Sequence, residues 1–309
     1  MILVTGGTGF VGRALVRQLV EAGHEVRTLI RPSPRSPRLP KGVPVEVAVV
    51  SLNDLRGLRA ALQGVDTVFH LASGERNAQL FETDVTGTET LVQAAAGSSV
   101  QRLIYLSQLG ADKASAFPAL RAKGLAEEQI RKSGIPYTIL RSSIIFGPED
   151  NFTTKLAHLI RLAPGILLLP KGGETLLQPL WVEDAVTALV WTLEDAGFEN
   201  QLHEIGGSEY FSLRQIVEII LSATGRKRLL LSASYPLLRG LNVMLENSLK
   251  NYPISGFFLD YLATDRTCET DSLPRIFNLM PARFTYRLDY LTRERWFSSL
   301  LTSLRKKIS

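Results

Sequence analysis

The stretch VTGGTGFVG, residues 4–12, limits what this chain can fold into more than any other. It follows the apolar run MILVT and opens into FVGRALVRQLVEAG, whose apolar residues recur at helical spacing. Gly6, Gly9 and Gly12 therefore stand where a strand turns into a helix. Such a turn needs residues without Cβ, the helix must pack close to the strand, and its N-terminus presents unpaired N–H groups with a partial positive charge. A pyrophosphate fits that loop. GxxGxxG alone is a weak signal, but at the end of the first strand of a repeating strand–helix chain it predicts a dinucleotide site.

The repeat is present. HEVRTLIR and VPVEVAVV read as strands, LNDLRGLRAALQG as a helix, DTVFHLAS as a strand and residues 82–97 as a helix. VQRLIYLS, LRAKGLAEEQIRKSG and YTILRSSIIFGP continue as strand, helix and strand. Strands separated by helices imply crossovers and a parallel sheet covered on both faces. After residue 150 the pattern changes. Residues 151–178 read as helical and then loop-like, LWVEDAVTALVWTLED as a short strand running into a helix, and LHEIGG as one more strand. Ser212 and Gln215 make a capping box before LRQIVEIILSATG. The expected fold is α/β: a Rossmann-type doubly wound parallel sheet over 1–150, with 179–207 returning to it. A smaller, mostly helical C-terminal domain takes 151–178 and 208–309. A chain of 309 residues is long enough for both.

Composition excludes several classes. The single cysteine, Cys268, rules out an internal disulfide or a CxxC site, and fits a reducing compartment. His24, His70, His158 and His203 are scattered, so no metal site is expected. The first strand begins at Ile2, and no apolar run nears the ~18 residues of a spanning helix. The expectation is a cytoplasmic protein, at most peripheral on the inner face of a membrane. Net charge is +5, and residues 293–309 account for +4 of it, with five basic residues against Glu294. Basic residues concentrated at one end argue against nucleic acid and for a local partner or surface.

Cofactor choice rests on the second strand. An NAD-selective fold places an acid about 20 residues past the loop. Here Arg31 stands 19 residues past Gly12 with no acid near. Arg31 can pair a 2′-phosphate, with help from Arg13 and Arg35. NADP(H) is expected over NAD(H), which stays possible.

These segments resemble the short-chain dehydrogenase/reductase superfamily in its extended and atypical branches. TGGTGFVG is similar to the family's cofactor loop, which implies contacts from Thr8 and Phe10 beside the three glycines. DTVFHLAS resembles the strand whose end, here Leu71 and Ala72, lines the nicotinamide side. TDVTGTETLVQAA resembles a VNVxGTxxLLEAA helix, VQRLIYLSQLGA the strand with the active-site serine, YTILRSSIIFGP an LRPxxIFGP strand, and LQPLWVEDAVTAL an FxPVHVDDVAxAL segment. The likeness covers residues 1–225 in the family's order. The ExGG strand and the Pro-rich apolar C-terminal region resemble the atypical group around the nucleotide-binding accessory subunit of respiratory complex I. Bacterial NAD(P)-binding epimerase/dehydratase-like proteins are its relatives.

The resemblance implies a Tyr-xxx-Lys pair and a serine. The tyrosine moves the proton, the lysine lowers its pKa and holds the ribose, and the serine steadies the carbonyl. Lys123 fills the lysine position and Ser107 lies in the serine strand, but the tyrosine position is Ala119. A methyl group cannot transfer a proton, and losing a positioned acid commonly costs ~10²–10⁴-fold in rate. Ser51 replaces an Asp near the adenine, Asp84 an Asn, and Ser142 the proline after LR. Tyr210 and His70 are conceivable substitute donors, with packing as the plainer reading of His70. The expectation is a retained cofactor cradle with weak or no ordinary dehydrogenase activity and a structural, sensory or assembly role, or alternatively a reductase or epimerase with an unusual donor.

Two apolar segments stay unassigned. In the tail, RERWFSSLLTSLRKKIS, residues Trp296, Phe297, Leu300, Leu301, Leu304 and Ile308 share one helical stripe among basic residues. It reads as an interfacial helix on an anionic membrane or a partner, or as a helix closing the chain's own core. Residues 235–262 read as a substrate lid, a partner groove or the small domain's core.

Overall fold

The alternation of apolar strands and amphipathic helices resolves into one seven-stranded parallel sheet in the computed structural model, which describes residues 1–33, 39–40, 42–74, 80–248, 256–262 and 264–292. The strands are β1 (Ile2–Thr5), β2 (Val26–Ile30), β3 (Glu46–Val49), β4 (Thr67–His70), β5 (Arg102–Gln108) and β6 (Tyr137–Ser142). A short β7 (Ile145–Phe146) follows, then β8 (Ile166–Pro170), β9 (Leu176–Leu177), β10 (Leu180–Trp181), β11 (Gln201–Ile205), β12 (Phe211–Ser212) and β13 (Leu229–Ala233). The order in the main sheet is β11-β6-β5-β4-β1-β2-β3, so the chain reverses direction of growth between β1 and β4. Ligands of open α/β sheets bind at such a reversal, beyond the carboxyl ends of the strands.

Helices cover both faces, as continuous apolar strands require. On one side α1 (Phe10–Glu21) and, from later in the chain, Val182–Trp191 bury Leu15, Leu19, Val186 and Leu189. On the other, α2 (Leu55–Ala61), α3 (Gly87–Ala96) and α4 (Pro118–Lys132) bury Leu58, Leu91, Ala126 and Ile130. Pro118 starts α4, where its missing N–H costs nothing.

A second core gathers residues from beyond the sheet. Its helices are α5 (Thr153–Leu162), α7 (Leu213–Ala223), α8 (Tyr235–Ser248) and α9 (Gly256–Tyr261), while α6 (Val182–Trp191) and α10 (Ser272–Phe277) pack on the main sheet. Phe152, Leu156, Leu169, Ile216, Phe258 and Phe284 lie together in it. The α7 capping box forms as expected: Gln215 N–H donates to Ser212 Oγ at 3.2 Å, and Ser212 N–H to Gln215 Oε1 at 2.8 Å.

Three local expectations need correction. YTILRSSIIFGP is two strands, because the chain leaves the sheet after Ser142 and Ile145–Phe146 pairs with Leu180–Trp181 instead. The helix read over 82–97 opens with a π turn at Phe81–Thr86 before α3. The segment read as loop-like before residue 178 contains β8, which pairs in parallel with β13. Residues 235–262 contribute Leu238, Phe258, Leu259 and Leu262 to the second core. The basic tail, residues 293–309, lies outside the described residues. Among those described, no helix is long and apolar enough to cross a membrane, and no group of three His, Cys, Asp or Glu could hold a metal.

Candidate dinucleotide site and the Lys123 corner

The loop after β1 is built so tightly that only glycine fits two of its corners. Gly6 has φ +75°, and a Cβ there would lie 2.7 Å from the backbone nitrogen of Ala72 and 2.8 Å from the carbonyl carbon of Leu71. A Cβ on Gly12 would lie 2.1 Å from the Gly6 carbonyl oxygen. The loop thus nests against the end of β4, at the reversal point of the sheet. Thr5 fixes that junction: its hydroxyl bonds His70 Nδ1 at 2.6 Å and accepts the Ala72 N–H at 3.4 Å. Gly9 caps α1 without a side chain, so the first N–H groups of that helix, from Phe10 onward, have neither intrahelical partner nor side-chain cap. Thr8 and Gly9 reach the surface. This cradle, which a Cβ would fill, fits a pyrophosphate.

The basic residues divide their work. Arg13 donates to the Thr8 carbonyl at 3.0 Å and pairs with Glu149 at 2.9 Å, so it braces the loop. Arg31 lies one residue past β2, exposed, and no described carboxylate pairs with it. Arg35 falls outside the described residues. Ser51, just beyond β3, accepts the N–H of Asn53 at 3.3 Å in a local turn.

The second corner lies on α4 beside β5. Ala119 and Lys123 fall one turn apart on the buried face of the helix. Lys123 Nζ lies 2.9 Å from Asp84 Oδ1, with Asp84 only 1% exposed. Asp84 also accepts from Ser73 Oγ at 2.9 Å and from the Gly74 N–H at 2.8 Å, which pins the segment after β4. The ammonium sits 5.0 Å from the centre of the Tyr105 ring. Burial opposes the charge on Lys123, but the neighbouring Asp84 carboxylate and Tyr105 outweigh it and raise its pKa. Tyr105 is wholly buried and its phenol is pushed upward by desolvation. Its hydroxyl has no hydrogen-bond partner of ordinary geometry, although Lys123 acts on it electrostatically.

The other candidates are committed elsewhere. Ser107 donates to Glu127 Oε1 at 2.6 Å, in a buried cluster where Glu127 also pairs with Arg141 at 2.7 Å and Arg131 at 2.8 Å. His70 is fully buried between Thr5 and Thr88, 2.9 Å from the latter. Desolvation, then the charge on Lys123, lower its pKa to about 3, so it is a neutral, satisfied core residue. The Tyr210 hydroxyl donates to the Cys268 carbonyl at 2.5 Å. Sequence reasoning missed the Asp84 partnership and Glu127. A signal for Glu127 exists: it follows Lys123 by four residues among Ala119, Ala122 and Ala126, an acid on a small-residue face that must find a buried base.

Known proteins resemble this chain in sequence and in fold. The family described as NAD(P)H-binding matches residues 6–159. A phosphate reductase of Streptomyces griseus, acting by its name on a (4-alkanoyl-5-oxo-2,5-dihydrofuran-3-yl)methyl phosphate, is 30% identical over 232 residues, 73% of this chain and 74% of its own length. This chain belongs to the atypical short-chain dehydrogenases/reductases. It carries their NAD(P)H-binding domain. Another member, the mitochondrial NADH dehydrogenase [ubiquinone] 1 alpha subcomplex subunit 9 of Arabidopsis thaliana, is 32% identical over 226 residues, 70% of this chain. The match spans 56% of that plant protein. The fold agrees with the epimerase Mth375 of Methanothermobacter thermautotrophicus at TM-score 0.76 and 19% identity, covering 99% of this chain and 94% of that one.

Proposed function

We propose that the chain holds NADP(H) with little ordinary carbonyl–alcohol turnover and serves as a structural, sensory or assembly component beside a membrane complex, from the inner face of the membrane. One arrangement carries this reading: Lys123 faces a buried carboxylate, Asp84, and the residue one turn before it is Ala119. A bound nicotinamide supplies a hydride, but no phenol stands at position 119 to supply the matching proton. In this reading Gly6, Gly9 and Gly12 hold the pyrophosphate, Arg31 pairs the 2′-phosphate, and Leu71 and Ala72 flank the nicotinamide half. Lys123 contributes to ribose binding more than to rate. The plant relative, named as a subunit of a mitochondrial NADH dehydrogenase [ubiquinone], supports the membrane-complex setting.

A second reading is an active NADP(H)-dependent reductase or epimerase on an unknown small molecule, with a non-standard donor. The reductase name of the Streptomyces relative favours it. One variant separates the two. Ala119→Tyr restores a phenol one turn before Lys123, and NADPH oxidation on a panel of carbonyl compounds should rise from near background by ~10²-fold or more. Wild-type turnover at ~1–10³ s⁻¹ on any of them would reject the low-turnover reading.

A further inference from the structure

The second core has a face that the described chain leaves uncovered. Strands β8 and β13 run in parallel, with Ile166 opposite Leu229 and Leu168 opposite Leu231. Their alternate residues Leu167 and Leu169 point into the core. Ile166, Leu168, Leu229 and Leu231 point the other way and are 50%, 38%, 59% and 40% exposed. Leu162, at the end of α5 and close before β8, is 63% exposed. A two-stranded sheet facing water on one side normally alternates apolar with polar residues, whereas ILLL against LLL is the pattern of strands covered on both faces. Paired side chains on one face of adjacent strands lie side by side, so these four form a single apolar platform. Contiguous exposed apolar surface of this kind marks an interaction site.

The residues that directly flank the two strands are mostly basic. Arg226 and Lys227 stand exposed immediately before β13, and Lys171 stands exposed immediately after β8. Residues 151–173 and 219–245, which build the platform, contain no Asp or Glu, and among the described residues the exposed acids next to them in the chain are Glu174 and Glu218. A second copy of this face would bring basic rim against basic rim, which is repulsive. The tail at 293–309 carries the same sign, and it leaves the described structure after Leu288 and Leu291, which belong to this same core. An apolar platform with a basic rim matches a bilayer surface that carries anionic headgroups over an apolar interior.

We propose that the β8–β13 platform is a docking surface for an anionic phospholipid bilayer, with Ile166, Leu168, Leu229 and Leu231 entering the acyl boundary and Arg226, Lys227 and Lys171 meeting the headgroups. The site is separate from the dinucleotide cradle and does not rest on the cofactor reading. The full chain should co-sediment with vesicles containing about one third phosphatidylglycerol and not with phosphatidylcholine alone. Leu168→Asp with Leu231→Asp should lower the bound fraction at least tenfold while NADPH binding stays unchanged. Arg226→Glu with Lys227→Glu, at exposed positions, should weaken binding about fivefold or more per charge, with the loss suppressed by salt. Three results would overturn the proposal. The first is a full chain that leaves both vesicle types unbound. The second is platform variants that bind like wild type while Trp296→Asp, Leu300→Asp and Leu304→Asp in the full chain abolish binding, which assigns attachment to the tail alone. The third is a dimer, seen by analytical ultracentrifugation, that the platform variants convert to monomer, which assigns the face to a second copy.

Discussion

The glycine loop at the end of β1 and the Lys123 corner beside β5 are built in opposite ways. The loop is a backbone object. Its function depends on what Gly6, Gly9 and Gly12 lack, and a Cβ at Gly6 or Gly12 would strike the backbone itself. The corner is a side-chain object, made of a lysine, a carboxylate and whatever stands at position 119. Steric necessity guards the first at more than one residue, because a Cβ at Gly6 or at Gly12 would meet backbone atoms at 2.7 Å and 2.1 Å. The second changes character with one residue. Where Ala119 gives Lys123 no phenol one turn before it, Asp84 takes the charge, and the same carboxylate fastens Ser73 and Gly74 beside the cradle. Binding and acid–base chemistry are therefore separable in this fold, because one is written in the main chain and the other in side chains.

The largest expected effect strikes the corner. Asp84→Ala strands the Lys123 ammonium in a site where its side chain is 11% exposed, and leaves the Gly74 N–H without its acceptor. Removing one partner of a buried pair costs about 3–5 kcal/mol. Urea denaturation should show that loss. Folding raises the Lys123 pKa, so the stabilisation is complete below the ordinary lysine value of about 10.4 and is lost as pH rises through the folded value. The difference between wild type and variant should thus stay flat from pH 6 to 9. A loss under about 1 kcal/mol would mean that the pair is solvated and that corner and cradle are not so different.

Breaking the cradle comes next. Gly12→Ala should weaken NADPH binding about 100-fold, the worth of one or two charge-assisted hydrogen bonds at about 1.5–3 kcal/mol each. Isothermal titration measures it. Affinity within threefold of wild type would show that the loop can shift aside and that sterics do not guard it.

The smallest effect sharpens cofactor choice. Arg31→Ala should weaken NADPH about tenfold, a discounted figure for an exposed charge-assisted contact, and leave NADH unchanged. Equal affinities for the two nucleotides, unaffected by the substitution, would remove Arg31 from the site.

Much of this was legible before the structure. The parallel order follows from strand and helix periods, and the cradle from glycine spacing next to a strand, since both are local consequences of backbone geometry. The break in YTILRSSIIFGP was not legible. Its apolar run is continuous, and only the partner strands decide that Tyr137–Ser142 joins β5 while Ile145–Phe146 joins Leu180–Trp181. The strand at Ile166–Pro170 was hidden between Pro164 and Pro170 for a related reason: its partner lies some sixty residues further on, in β13. Among site residues, Lys123 and Ala119 were visible through the family resemblance, which implies a Tyr-xxx-Lys pair at these positions. Asp84 appeared only as a departure from a pattern, because its partner lies on another helix.

By itself, then, the sequence determined the class of sheet, the position of the glycine loop and the absence of a phenol at 119, all properties of residues near one another in the chain. Tertiary structure alone decided what each polar group does. Ser107 faces Glu127, Tyr210 faces the Cys268 carbonyl, and His70 is neutral between two threonines. It also decided that one apolar strand pair keeps a face that the described residues leave exposed. The reason is physical: backbone turns and periodicities are set by neighbours in sequence, whereas burial and pairing of charge are set by neighbours in space.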